Sequence, residues 1–250
     1  KFQYFKFQAI TNPFGIIFNA VSLAKIIERS VQKNYFTEND IFFHNDLWHC
    51  YEVHSELSNS DKNTFLNSLN ELINSTHQQL NDSTHIIITL GTSWVYRNIA
   101  SNEIVANCHK VPQKEFTKEL LSIQQIEESL ESIISLVHSV NPNCKFIFTV
   151  SPVRHIKDGF VENTLSKAHL IAAIHSVINQ KFSTSLELTT DNREQTSSYF
   201  PSYEIMMDEL RDYRFYAEDM LHPNQTAVDY IWIQFFENYI SESEFGLMNE

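Results

Sequence analysis

The chain has 250 residues, 42% of them hydrophobic, and a formal net charge of −13. That balance lacks the basic face that general nucleic-acid binding needs, and it disfavours anionic membranes and polyanionic substrates. No stretch approaches the ~18 uninterrupted apolar residues of a membrane-spanning helix, and the start, Lys1 to Lys6, carries no apolar signal-peptide core.

In chain order, Phe5 to Thr11 reads as a short strand that runs into the turn Asn12-Pro13-Phe14-Gly15. Ala20 to Lys33 reads as a helix, with Val21, Leu23, Ala24, Ile27 and Val31 at helical spacing. Thr37 to Asp40 opens a short helical or turn segment, and Phe42 to His54 is dense in aromatics and histidines. Ser60 to Gln79 is amphipathic, with Ser60 or Asp61 as its cap. His85 to Leu90 is a continuous apolar run ending at Gly91, the pattern of a parallel strand buried on both faces. Glu103 to Ala106 suggests a short hairpin strand, Ser122 to Val140 a long helix, and Lys145 to Val150 a second buried strand ending at Ser151-Pro152. Asn163 to Asn179 is helical, Thr184 to Ser198 is a polar loop, Ser198 to Pro201 is a last strand, and Asp229 to Tyr239 is a closing helix. Met206 to Tyr216, rich in charges and aromatics, reads as a wall ahead of the next segment.

Strands and helices alternate, which is the grammar of a doubly wound, mostly parallel sheet that binds ligands beyond its strand C-termini. One domain over 1–240 and an acidic tail over 241–250 account for the length. Three cysteines without CxxC spacing, Cys50, Cys108 and Cys144, fit free thiols in a reducing, cytoplasmic compartment.

Chemistry concentrates at a few points. Asp219 precedes His222 by three residues, so its carboxylate can hold Nδ1–H and leave Nε2 as a general base. The alternative is an N-capping aspartate beside an incidental histidine. Pro223 then suits a first helical position. Only 4 glycines occur, against roughly 17 at the usual ~7%, so Gly15, Gly91 and Gly159 draw notice. Gly91, Thr92 and Ser93 follow a strand and either line a pocket or form a tight turn. Arg154 and His155 follow the next strand, as substrate contacts or as internal partners. Asn107 precedes Cys108 and His109, neighbours that rarely face one another. His44, His49 and His54 recur at intervals that match no metal-binding helix, so packing and pocket lining are expected there, with no metal and no cofactor.

Six segments in order resemble the GSCFA-domain family, itself similar to the SGNH/GDSL hydrolases. They are Asn12-Pro13-Phe14-Gly15, His44 to His49, Leu90 to Tyr96, Val105 to Pro112, Ser151 to His155 and Tyr216 to Pro223. The resemblance implies an α/β fold with three α/β/α layers. It implies Asp219 and His222 as the superfamily's D-x-x-H pair, Gly15 as an oxyanion donor, and Gly91 as the glycine of the G-x-N-D block. The asparagine and aspartate of that block fall here on Ser93 and Trp94. The family's Gly-Ser-Cys-Phe-Ala segment, with its nucleophilic serine, has no counterpart in this chain. The first, central strand is therefore expected to be missing too, with about 20 to 40 further residues upstream, the span of a strand-turn-helix unit.

The expected function is a serine-esterase-type hydrolase acting on a small-molecule ester or acyl substrate. Gly15, Gly91, Ser93, Asn107, Arg154 and His155 would bind substrate or oxyanion. The rival is a noncatalytic carbohydrate or acyl-ligand binding domain on the same fold.

Overall fold

The computed structural model describes residues 1–5, 7–183 and 196–240. Its elements run α1 (Ala20–Gln32), β1 (Phe42–His44), β2 (Leu47–His49), α2 (Lys62–Asp82), β3 (His85–Leu90), β4 (Trp94–Asn98), β5 (Ile104–Val105), β6 (Phe116–Leu120), α3 (Ile123–Val140), β7 (Lys145–Val150), α4 (Phe160–Ser183), β8 (Ser197–Phe200), the single turn α5 (Ser202–Glu204) and α6 (Gln225–Tyr239). The expected polar loop, apart from its last residues, and the tail over 241–250 lie outside the described residues.

The helices start where side chains satisfy the first free N–H groups. Asn19 accepts from Ser22 N–H at 2.8 Å and Asp61 from Thr64 N–H at 2.7 Å. Ser122 and Gln125 form a reciprocal capping box on α3. Asn224, rather than Pro223, caps α6 by accepting from Ala227 N–H at 3.1 Å. Pro223 instead bridges back to Tyr216, so the proline closes a loop.

The central sheet is parallel, in the order β3-β7-β8, with Leu90 opposite Val150 and Phe148 opposite Tyr199. This is an α/β protein. Alternation along β7 sends Phe146, Phe148 and Val150 into a core with Leu130, Ile134 and Leu170 of α3 and α4. Ile147 points the other way, into a cluster with Phe200, Ala227 and Phe235, the last two on α6. Phe146 to Val150 are all buried, as a strand covered on both faces requires. Burying each phenylalanine there contributes about 1.5–3 kcal/mol relative to exposure.

Two sequence expectations change. β3 is buried on one face only: Ile88 and Leu90 point inward, whereas His85, Ile87 and Thr89 are exposed. Among the described residues β3 pairs with β7 alone, so it is an edge strand, and Ile87 is 40% exposed. An apolar run reports that a strand is hydrophobic, not how many faces its neighbours cover. The described residues of the Phe5 to Thr11 stretch form no strand. Residues 2–5 make a turn tied by Phe5 N–H to Lys1 O, and Ile10 lies exposed. A strand needs a ladder partner, and this segment has none among the described residues.

A second, antiparallel sheet in the order β5-β4-β6 stands beyond the C-terminal end of β3. The β1–β2 hairpin and α2 enclose a further core around Phe14, Phe36, Phe65 and Leu69. Among the described residues no helix is long and apolar enough to cross a membrane.

Candidate active site

The parallel strands deliver the segments after β3 and β7 to one end of the sheet, and the loop before α6 arrives beside them. In that loop Asp219 folds onto its own backbone. Its Oδ1 accepts from Leu221 N–H at 2.8 Å and from His222 N–H at 3.0 Å. Met220 takes the left-handed conformation, φ 57°, that this tight turn demands. The second carboxylate oxygen is then aimed at the imidazole: Asp219 Oδ2 lies 2.6 Å from His222 Nδ1. The backbone bonds from His222 and Leu221, then the imidazole bond, hold the Asp219 carboxyl down to about 2. It therefore stays an anion through the neutral range and fixes Nδ1 as the protonated nitrogen. His222 Nε2 has no partner among the described residues. Both side chains are exposed, so the pair opens to solvent.

Arg154 and His155 meet this loop. Arg154 N–H donates to Leu221 O at 3.3 Å. Its guanidinium donates to Tyr216 Oη at 2.7 Å and lies over the Tyr216 ring at 4.1 Å from the centroid. His155 packs edge-on against Phe18, and its backbone N–H donates to Asn163 Oδ1 at 2.8 Å. Burial, and then the charges of Lys167 and His222, push the His155 imidazole down to about 4, so it is neutral at pH 7.

Gly91 explains itself by crowding. A Cβ there would lie 3.0 Å from Phe18 Cδ1 and 3.4 Å from His155 Nε2. Its own N–H donates to Phe18 O at 3.0 Å. Ser93 is fully buried, and its Oγ donates to Ser166 O at 3.0 Å, so it braces the turn from inside. Gly15 packs against His54 and Glu56. At φ 76° it closes the Asn12–Gly15 turn by donating to Asn12 O at 2.8 Å. Asn107 lines a cavity beside the strand end, and its Oδ1 accepts from His109 N–H.

The structure thus brings Gly91, Arg154, His155, Asp219 and His222 to one place. Gly15 and Ser93 belong to supporting turns. The backbone N–H groups of Gly15 and Gly91 are already donated within the chain. Residues 1–235 match the family model described as GSCFA family. The chain belongs to the GSCFA family. No curated protein and no solved structure matches it.

In this GSCFA chain the strand-end site holds one residue that the sequence reading passed over. Lys167, on α4, is 1% exposed and has no acidic partner among the described residues. Its Nζ donates to Gly91 O and to Ser151 O, each at 2.7 Å, and so pins together the turns that follow β3 and β7. Burial pushes its pKa down to about 7. A neutral amine still has two N–H donors, so both bonds survive deprotonation.

The histidine-rich segment packs as expected. His49 packs at a tilt against Phe42 and His109, with Ser58 Oγ 2.6 Å from Nδ1 and His44 O 2.9 Å from Nε2. His109 turns away from Cys108 and bonds Cys50 O at 2.7 Å. Among the described residues no group of three or more His, Cys, Asp or Glu side chains is arranged to hold a metal ion.

Proposed function

We propose that this GSCFA protein is a serine-esterase-type hydrolase of small ester or acyl substrates, with Asp219 and His222 as its acid–base pair and a nucleophilic serine supplied from upstream of Lys1. The observation that carries the reading is the 2.6 Å bond between Asp219 Oδ2 and His222 Nδ1, which leaves Nε2 unpartnered among the described residues. The serine hydroxyl passes its proton to Nε2 as Oγ attacks the acyl carbonyl. The alcohol then leaves with that proton, and water repeats the sequence to release the acid. The one-sided pairing of β3 supports a further strand at its open edge, and with it the three-layer arrangement of SGNH-type hydrolases. A strand there would pair with the free edge.

The second reading is a noncatalytic carbohydrate or acyl-ligand binding domain. It is favoured by the prior use of the Gly15 and Gly91 N–H groups and by the burial of Ser93, which leave the expected oxyanion donors engaged. A fluorophosphonate probe separates the two. The protein with its upstream segment is expected to be labelled on serine and to lose labelling in His222→Ala. Absence of labelling in the folded, full-length protein would leave the binding domain as the answer.

A further inference from the structure

A cavity of about 370 Å³ lies between Phe18 and the β4–β5–β6 sheet, and Asp219 and His222 do not line it. Its walls are mostly apolar: Phe18, Trp94, Tyr96, Val105, Val111 and Phe116. Phe18 forms the partition. One side of this residue faces the cavity, while the ring touches His155 and lies against Gly91. Thr92, next along the chain from Gly91, also lines the cavity. The cavity therefore begins where the candidate active site ends.

Three acceptors in its wall are engaged already. Asn19 Oδ1 caps α1 through Ser22 N–H, Thr92 Oγ1 bonds Ser166 Oγ and accepts from Trp94 N–H, and Asn107 Oδ1 accepts from His109 N–H. A sugar pocket must offer donors and acceptors to each hydroxyl, because a buried polar group left unpaired is costly. With those acceptors committed, the cavity keeps Gln113 and the cation Lys157 at a lining that is otherwise mostly apolar. Its volume equals roughly a dozen water-sized units at about 30 Å³ each. That suits an unbranched chain of about eight carbons better than an acetyl group.

We propose that this cavity is the acyl pocket of the site and that the substrate class is esters of medium-length, unbranched apolar acyl groups. The assignment rests on the hydrolase reading for its chemistry, but binding alone tests it. Straight-chain carboxylates from butyrate to decanoate are titrated into the protein by calorimetry, with Trp94 fluorescence as a second readout. Affinity is expected to rise two- to fourfold per methylene, the range set by partial to full burial of each group, and to level off near eight carbons. Ala106→Phe, which fills the cavity from β5's far end, is expected to weaken octanoate at least tenfold, and Val111→Phe serves if that variant does not fold. Equal affinity across the series, or octanoate binding unchanged in a folded cavity-filling variant, overturns the assignment. If carboxylates bind as expected but the full-length protein is not labelled by fluorophosphonate, the pocket stands and the hydrolase reading falls. If labelling depends on His222 while the carboxylates fail to bind, the pocket falls alone.

Discussion

Replacing Lys167 with Met should change how stability depends on pH far more than it changes stability at pH 7. The folded pKa is about 7, against an ordinary 10.5, so the native state disfavours the charged amine. Below pH 7 both states are protonated and the full penalty applies, roughly 4–5 kcal/mol at 1.36 kcal/mol per pH unit. Between pH 7 and 10.5 the unfolded chain binds more protons than the native one, so stability rises with pH. From pH 7.0 to 9.5 the gain from this group is about 3 kcal/mol. In Lys167→Met that gain disappears. The carbonyls of Gly91 and Ser151, each now without its 2.7 Å donor, cost about 1–3 kcal/mol apiece at every pH. Relief of the buried charge offsets much of that cost at pH 7, so the variant should lie close to the wild type there and well below it at pH 9.5. His155, held at about 4, stays neutral across the window, and the nearby Tyr203 titrates above its ordinary range. Urea unfolding followed by tryptophan fluorescence, run on both proteins at both pH values, gives the double difference. With a slope of about 3 kcal/mol per molar urea, the difference appears as roughly a 1 M divergence in midpoint. Parallel pH dependences for wild type and variant would refute the assignment of a buried, poorly solvated cation to Lys167.

On the proposed hydrolase mechanism, Asp219→Asn in the protein carrying the proposed serine should lower kcat/KM for short p-nitrophenyl esters by about 10³–10⁴, because the amide no longer enforces the Nδ1–H tautomer. With the carboxyl held at about 2, Asp219 stays ionised in mild acid, so its own protonation should not limit activity there. A pH–rate profile on wild type and variant measures both. Gly15→Ala should destabilise the fold by about 2 kcal/mol or more, since it combines a left-handed φ with a new Cβ 2.2 Å from His54 Cβ. Thermal or urea unfolding checks it, and an unchanged midpoint would contradict the tight turn.

Much of the frame was readable from local pattern. The strands His85–Leu90 and Lys145–Val150 and the caps Asp61 and Ser122 stand where apolar runs and capping side chains put them. The Asp219–His222 bond was legible as well, because three residues of spacing within one turn suffice for a carboxylate to reach an imidazole. Among the missed strands, β4 and β6 carry Arg97, Lys118 and Glu119 on a half-exposed antiparallel sheet, where the Arg97–Glu119 pair takes the place of a clean apolar alternation. Helix α4 begins at Phe160, three residues before the apolar pattern shows it.

Other features depended on elements distant in the chain. Lys167 looks like any surface lysine on a helix until α4 is laid across the ends of β3 and β7, where its buried amine finds two carbonyls. Gly91 read equally as pocket lining or as a tight turn, and only packing shows Phe18 lying against it and accepting its N–H. β3 looked doubly buried, yet coverage belongs to neighbours, and among the described residues it has one. Local chemistry in the chain set the strands, the caps and the Asp219–His222 turn, because those interactions span a few residues. Burial, committed hydrogen bonds and the cavity beside Phe18 were decided by packing, since each is a property of what arrives from elsewhere to occupy the space.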